Sequence, residues 1–203
     1  MKFKLFGISF FLSYPAVAFL TIALLSDKNG SLFLCVLASL IHESGHIMMM
    51  LLLKVKILKI NVNLEDVAII ADSHNLSFRS EVLVSFSGVL FNVVFVAVFG
   101  VLYIIWRTDI FFHLLMANLC VAVFNVLPIK YLDGGQLLAL ILSNRLDYRL
   151  TDLICNIITF VFLLPLAGIG FVFLFNSRYN YSLLFAVLYL ICTLVSKEFK
   201  NVS

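Results

Sequence analysis

An apolar run from Ser31 to Leu53 is long enough to cross a bilayer, yet its middle reads His42-Glu43-Ser44-Gly45-His46. In lipid every backbone polar group must be satisfied within the chain, so such a run folds as a helix. Its polar side chains must then turn toward protein or a wet cavity, and ionisable groups at that depth mark chemistry. On a helix, His42 and His46 are four residues apart and project from one face. Two ring nitrogens so placed reach a single Zn²⁺. Glu43, about 100° around the helix, reaches a water at the metal's open position. The pattern is the HExxH arrangement of a zinc hydrolase, set inside a membrane span.

The rest of the chain has the composition such a helix needs. Of 203 residues 63% are hydrophobic and 12% charged, and the mean hydropathy is +1.12. Soluble domains are about half apolar and a quarter charged. The expected fold class is therefore an all-α polytopic membrane protein, residues 1–203 forming one integral-membrane domain with no separate soluble domain. About six transmembrane helices are expected, near Leu5–Ser26, Ser31–Leu53, Val82–Trp106, Ile110–Leu127, Leu150–Asn176 and Tyr181–Val195.

Six spans put both termini on one side, together with the segments after the second and fourth spans. That side carries Lys2, Lys4, Lys54, Lys56, Lys59, Arg79, Lys130, Arg145, Arg149, Lys197 and Lys200. The opposite side carries Lys28, Arg107 and Arg178. Eleven cations against three make the termini cytoplasmic in a cell-membrane protein. The net charge of +3 follows from this bias and calls for no nucleic acid. Lys2, Lys4 and the triplet Ala16-Val17-Ala18 imitate a signal peptide. The apolar run continues through Leu25, so the segment is expected to be retained. Cys35, Cys120, Cys155 and Cys192 fall inside expected spans without metal spacing and are expected to be small packing residues. Cys35 shares the face of His42 but lies two turns away, ~10 Å, too far to join it as a ligand.

One stretch, Lys54–Arg79, is neither span nor short turn. Lys59-Ile60-Asn61-Val62-Asn63-Leu64 alternates polar and apolar, Glu65-Asp66 interrupts, and Val67-Ala68-Ile69-Ile70-Ala71 follows. The Lys59–Ala71 pattern reads equally as a membrane-associated β-hairpin after the second helix or as an amphipathic surface loop. A hairpin there would offer an edge to an extended peptide.

A catalytic zinc takes three protein ligands and keeps one position for water. His74, in a polar loop, and His113, at the far end of the fourth span, read as solvated or interfacial histidines. Asp133 is the stronger candidate, in Asn125-Val126-Leu127-Pro128-Ile129-Lys130-Tyr131-Leu132-Asp133-Gly134-Gly135. Pro128 breaks or kinks the fourth span. Gly134-Gly135 lets the backbone turn or approach closely. Irregular backbone at membrane depth is tolerated only where it lines a cavity or is buried in protein.

With these residues in view the chain resembles the site-2 protease family of intramembrane zinc metalloproteases. The carriers are His42–His46, then Asn125-x-x-Pro128 and Leu132-Asp133-Gly134-Gly135. Ser87-Gly88-Val89-Leu90-Phe91-Asn92 is similar to the family's Gly-Pro-x-x-Asn segment. The spacing is closest to the bacterial branch that processes a sporulation sigma-factor precursor, and the likeness covers roughly the first 150 residues. The last two spans match only as generic membrane helices.

The resemblance implies His42, His46 and Asp133 as ligands of one Zn²⁺ per chain, Glu43 as catalytic acid/base and Asn125 as a residue holding substrate. Gly88, Asn92, Pro128, Gly134 and Gly135 are implied as structural support. It also places a re-entrant hairpin at Lys59–Ala71. Val89 replaces the motif's proline and Tyr131 stands where relatives often carry a second one. The sporulation branch's soluble nucleotide-binding module and any PDZ insertion are missing from the sequence. The implied activity is cleavage of a membrane-embedded or membrane-associated protein within the bilayer. A regulatory partner or oligomer is left open. Two rival readings are an ion or metal-binding transporter, for which no inverted-repeat partner motif is found, and a silent scaffold that binds membrane peptides.

Overall fold

The computed structural model describes residues 2–5, 8–27, 30–63, 67–72 and 76–176. The expected span Tyr181–Val195, His74 and Cys192 lie outside these residues. The chain divides into two compact units, Met1–Phe124 and Asn125–Ser203.

The first unit opens with strands β1 (Lys2–Leu5) and β2 (Ile8–Leu12), followed by helices α1 (Tyr14–Ser26) and α2 (Ser31–Leu52). This corrects the expected first span, Leu5–Ser26. The aromatic and β-branched run Ile8–Leu12 is strand. Ser13 then caps α1, its Oγ accepting from Ala16 N at 3.3 Å, with Pro15 in the first turn. Proline is tolerated there because its missing N–H is one the helix leaves unpaired anyway. Thirteen helical residues rise ~20 Å, short of the ~30 Å of a hydrocarbon core. Asp27 ends α1 and its carboxylate then accepts from Leu32 N at 2.7 Å and Phe33 N at 3.2 Å, holding the start of α2.

After α2 the Lys59–Ala71 segment is a hairpin, not a surface loop. Strand β3 (Ile57–Val62) pairs antiparallel with β4 (Val67–Ala71), with a register irregularity between Ile57 and Lys59. The N-terminal strands join it: β2 runs parallel to β3, with Ser9 opposite Lys59 and Phe11 opposite Asn61. The sheet order is β1-β2-β3-β4. A parallel neighbour requires a long crossover, supplied here by α1 and α2 together. The chain leaves the sheet along α1 and returns to it along α2. Among the described residues β1 and β4 are the outer strands of the sheet, and β3 is paired on both sides.

Helices α3 (Phe78–Trp106) and α4 (Asp109–Val126) follow, and α2 packs chiefly on α3. The side chains of this layer are sorted as lipid requires. Phe33, Leu40, Ile104 and Ile105 are more than half exposed, whereas Ala38, Gly45, Ser87, Gly88, Asn92, Ala117, Asn118 and Ala122 are buried. Small and amide residues inside, with large apolar ones outside, is the sorting of helices that meet in a bilayer. Gly45 makes the α2–α3 approach possible: a Cβ there would sit 2.8 Å from the Ser87 carbonyl oxygen. Val89, buried in mid-helix, lets α3 run unbroken where the related motif has proline.

The second unit contains the end of α4, an irregular stretch, α5 (Asp133–Ser143) and α6 (Tyr148–Asn176). Residues 128–149, expected as a connecting segment between spans, contain the additional helix α5. Among the described residues four helices are long and apolar enough to cross a membrane: α2, α3, α4 and Tyr148–Ile169 of α6. Cys155 is buried in α6 as expected of a packing residue. Cys35 and Cys120 are instead exposed on the outer faces of their helices, where a small polarizable side chain suits lipid.

Candidate metal centre

His42 is buried and His46 half-buried, on the face of α2 that meets α3. Each Nδ1 has a fixed acceptor. His46 Nδ1 lies 2.8 Å from the Val84 carbonyl oxygen, which can only accept, so this nitrogen carries the proton. His42 Nδ1 lies 2.8 Å from Asn92 Oδ1. That oxygen is identified by its amide partner: Asn92 Nδ2 donates to the Ala38 carbonyl at 3.1 Å and to Asn118 Oδ1 at 2.9 Å. Asn118 is oriented in turn, its Nδ2 donating to the Leu114 carbonyl at 2.8 Å. The chain of donations runs one way, so His42 Nδ1 is also protonated.

In the neutral imidazoles both Nε2 atoms then carry the lone pair, and they lie 3.3 Å apart. Two lone pairs at that distance suit a shared cation. Ligands ~2.0–2.1 Å from one tetrahedral Zn²⁺ are about 3.3 Å apart, so the two imidazoles fit that ion. Their other N–H groups are bonded to protein, as is general for metal-binding histidines.

The space beside the nitrogens exists because residue 88 is glycine. A Cβ on Gly88 would meet His46 Nε2 and lie 2.7 Å from His42 Nε2, inside the coordination space. Glu43, next along α2, is half-buried. Ser87 Oγ donates to the Val84 carbonyl at 2.6 Å, beside the His46 bond to the same oxygen.

The second unit carries the other expected residues. Asn125 is half-buried in the last turn of α4. The helix ends one residue later, ahead of Pro128, so the expected break is present. Asp133 is the first residue of α5, where the unpaired amides of a helix N-terminus favour a carboxylate. The two glycines after it permit a fold-back. Neither has positive φ. A Cβ on Gly134 would lie 2.6 Å from the Leu127 carbonyl oxygen, and one on Gly135 would meet that of Ile129. The turn that carries Asp133 is thus pressed against its own preceding loop.

His113 is exposed on α4 beside Phe112, consistent with the solvated or interfacial reading. Asn118 escaped the sequence reading. The signal was available: an amide in an apolar span seven residues before Asn125, on the same helix face.

Comparison with family models and with curated proteins gives no match. Among solved structures the chain is similar to the site-2 protease from Methanocaldococcus jannaschii, with a TM-score of 0.70 and 23% identity. The likeness covers 94% of this chain and 91% of that one. At this identity it speaks for architecture, and the chain shares the fold of a site-2 protease.

Proposed function

We propose that this protein is an intramembrane zinc metalloprotease that cleaves a membrane-embedded or membrane-associated protein. The observation that carries the reading is the pair of facing Nε2 lone pairs, 3.3 Å apart within a membrane-spanning helix, with both Nδ1 protons committed elsewhere. Two histidines leave a catalytic zinc one protein ligand short, and Asp133 supplies it as a carboxylate. Such a helix-borne HExxH pair followed by a broken span and an Asp-Gly-Gly turn is the feature shared with the site-2 protease family.

Zinc, when bound, acidifies a water and polarises a peptide carbonyl. Glu43 accepts the proton of the attacking water as the new C–O bond forms, and returns it to the amide nitrogen as the C–N bond breaks. The Asn125 amide donates to the carbonyl oxygen as it gains charge. A substrate helix must unwind first, because its carbonyls are already hydrogen-bonded. The open edge of β4 would then pair with the unwound segment.

The side bearing the sheet is cytoplasmic. Lys2 and Lys4 lie in β1 and Lys59 in β3 of the same sheet, with Lys54 and Lys56 just before it. Five of the eleven cations that set orientation therefore lie in or beside one sheet.

Glu43→Gln tests the reading. Gln keeps the shape but takes no proton, so turnover of a membrane-peptide substrate is lost while zinc per chain, by mass spectrometry, stays at the wild-type level. Retained turnover would sink the protease reading; lost zinc would make Glu43 a ligand. The same variant, purified with the membrane peptides that accumulate on it, identifies the substrate.

A further inference from the structure

The loop that leads into Asp133 is held by α6. Lys130 N donates to Thr159 Oγ1 at 3.0 Å, and the same hydroxyl donates to the Cys155 carbonyl at 2.7 Å. Lys130 Nζ lies 2.7 Å from Asp152 Oδ1 and 3.0 Å from Asn156 Oδ1. Asn156 Nδ2 donates to Asp152 Oδ2 at 3.3 Å, which closes the network. Asp152, Asn156 and Thr159 recur at i, i+4 and i+7, so they form one polar stripe on an otherwise apolar helix. Thr159 is fully buried and Ile129, the residue before the lysine, is 1% exposed.

A polar stripe on a spanning helix is costly, so its retention requires a use. The loop explains part of it: backbone amides outside a helix need partners at this depth, and Thr159 satisfies that of Lys130. The side-chain pair goes further. The Lys130–Asp152 pair is partly exposed, so its hold on the loop rests on geometry: Asn156 fixes the same ammonium and Thr159 the backbone amide of the same residue. Lys130 stands three residues before Asp133. Between them Leu132 N donates to the Ile129 carbonyl at 2.8 Å, and Gln136 N donates to that of Leu132 at 2.9 Å. Little freedom remains between the clamped lysine and the carboxylate.

We propose that Asp152 and Thr159 are positioning residues for the metal centre, acting through Lys130 to fix Asp133. This makes α6 part of the site, although the family resemblance reaches it only as a generic membrane helix. The inference rests on the reading of Asp133 as third ligand.

The test is zinc affinity of the full chain in detergent, measured by chelator competition, beside the melting temperature of the zinc-free protein. Thr159→Val should weaken zinc binding about 10- to 100-fold, the usual cost of disturbing a ligand's support. Thr159→Ser, which keeps the hydroxyl, should bind as wild type. Asp152→Asn alone leaves an unbalanced ammonium, so the double variant Lys130→Met/Asp152→Leu is the cleaner probe. It should melt as wild type without zinc and still bind zinc more weakly. Wild-type affinity in Thr159→Val and in the double variant, with zinc lost in Asp133→Ala, overturns this inference alone. Wild-type affinity in Asp133→Ala overturns the ligand assignment and this inference with it.

Discussion

Asn118 reaches His42 through Asn92: Asn118 Oδ1 accepts from Asn92 Nδ2 at 2.9 Å, and Asn92 Oδ1 accepts from His42 Nδ1 at 2.8 Å. Three helices, α2, α3 and α4, thereby share the task of fixing one tautomer. Asn92→Leu removes the acceptor and leaves the Nδ1 proton buried without a partner. Zinc affinity should fall about 10- to 100-fold. Asn118→Leu removes only the group that orients Asn92, so its loss should be smaller. Equal zinc affinity in both variants and wild type, measured by chelator competition, would show that the relay has no part in metal binding.

Gly88 gives a separate prediction because its reason is steric rather than polar. Alanine is a better helix former than glycine by roughly 1 kcal/mol, so Gly88→Ala should not unfold α3 on propensity grounds. Its Cβ would, however, occupy the space beside both Nε2 atoms. The expected protein inserts normally, keeps its helical circular dichroism and binds little or no zinc. Normal zinc content would mean that the imidazoles coordinate on another side.

How far the sequence revealed this depends on whether the signal was local. His42, Glu43 and His46 were legible because helical spacing and apolar context both lie within one run. The break at Pro128 was legible for the same reason. The span expected at Leu5–Ser26 was not, because Ile8–Leu12 and Tyr14–Ser26 form one unbroken apolar stretch, and apolarity alone does not separate a strand from a helix. The hairpin could be read from the alternation of Lys59–Leu64, whereas its parallel partner β2 lies some 50 residues away and leaves no mark in that alternation. The pair Asn92–Asn118 joins two helices and the pair Lys130–Asp152 joins a loop to a helix, so no local spacing marks either one.

The third ligand is tested by comparing carboxylate with spare imidazole. Asp133→Ala should lose both zinc and activity, because no carboxylate remains at the start of α5. His113→Ala should keep both, since His113 is exposed on α4 beside Phe112. His74→Ala, in the polar segment after β4, is expected to behave likewise. Zinc per chain by mass spectrometry decides among them. An empty site in His113→Ala with a filled one in Asp133→Ala would reverse the assignment.

Of the two hairpin strands, β4 is the one with an outer edge for an extended substrate. Because β2 occupies the far side of β3, proline at Asn61 or Val62 should damage folding, since it removes amides from the middle of the sheet. In β4 alternate N–H groups point to β3 and to the open edge. Proline through Val67, Ala68, Ile69, Ile70 and Ala71 should therefore divide into two classes. One class loses stability, as at β3. The other stays folded with normal zinc and binds a membrane-peptide substrate more weakly. Replacement by alanine at the larger positions, which keeps every N–H, should be mild in both classes. Substrate binding measured on the Glu43→Gln background separates affinity from cleavage. Uniform effects along β4, or alanine as harmful as proline, would mean that substrate is held by side chains and not by strand addition.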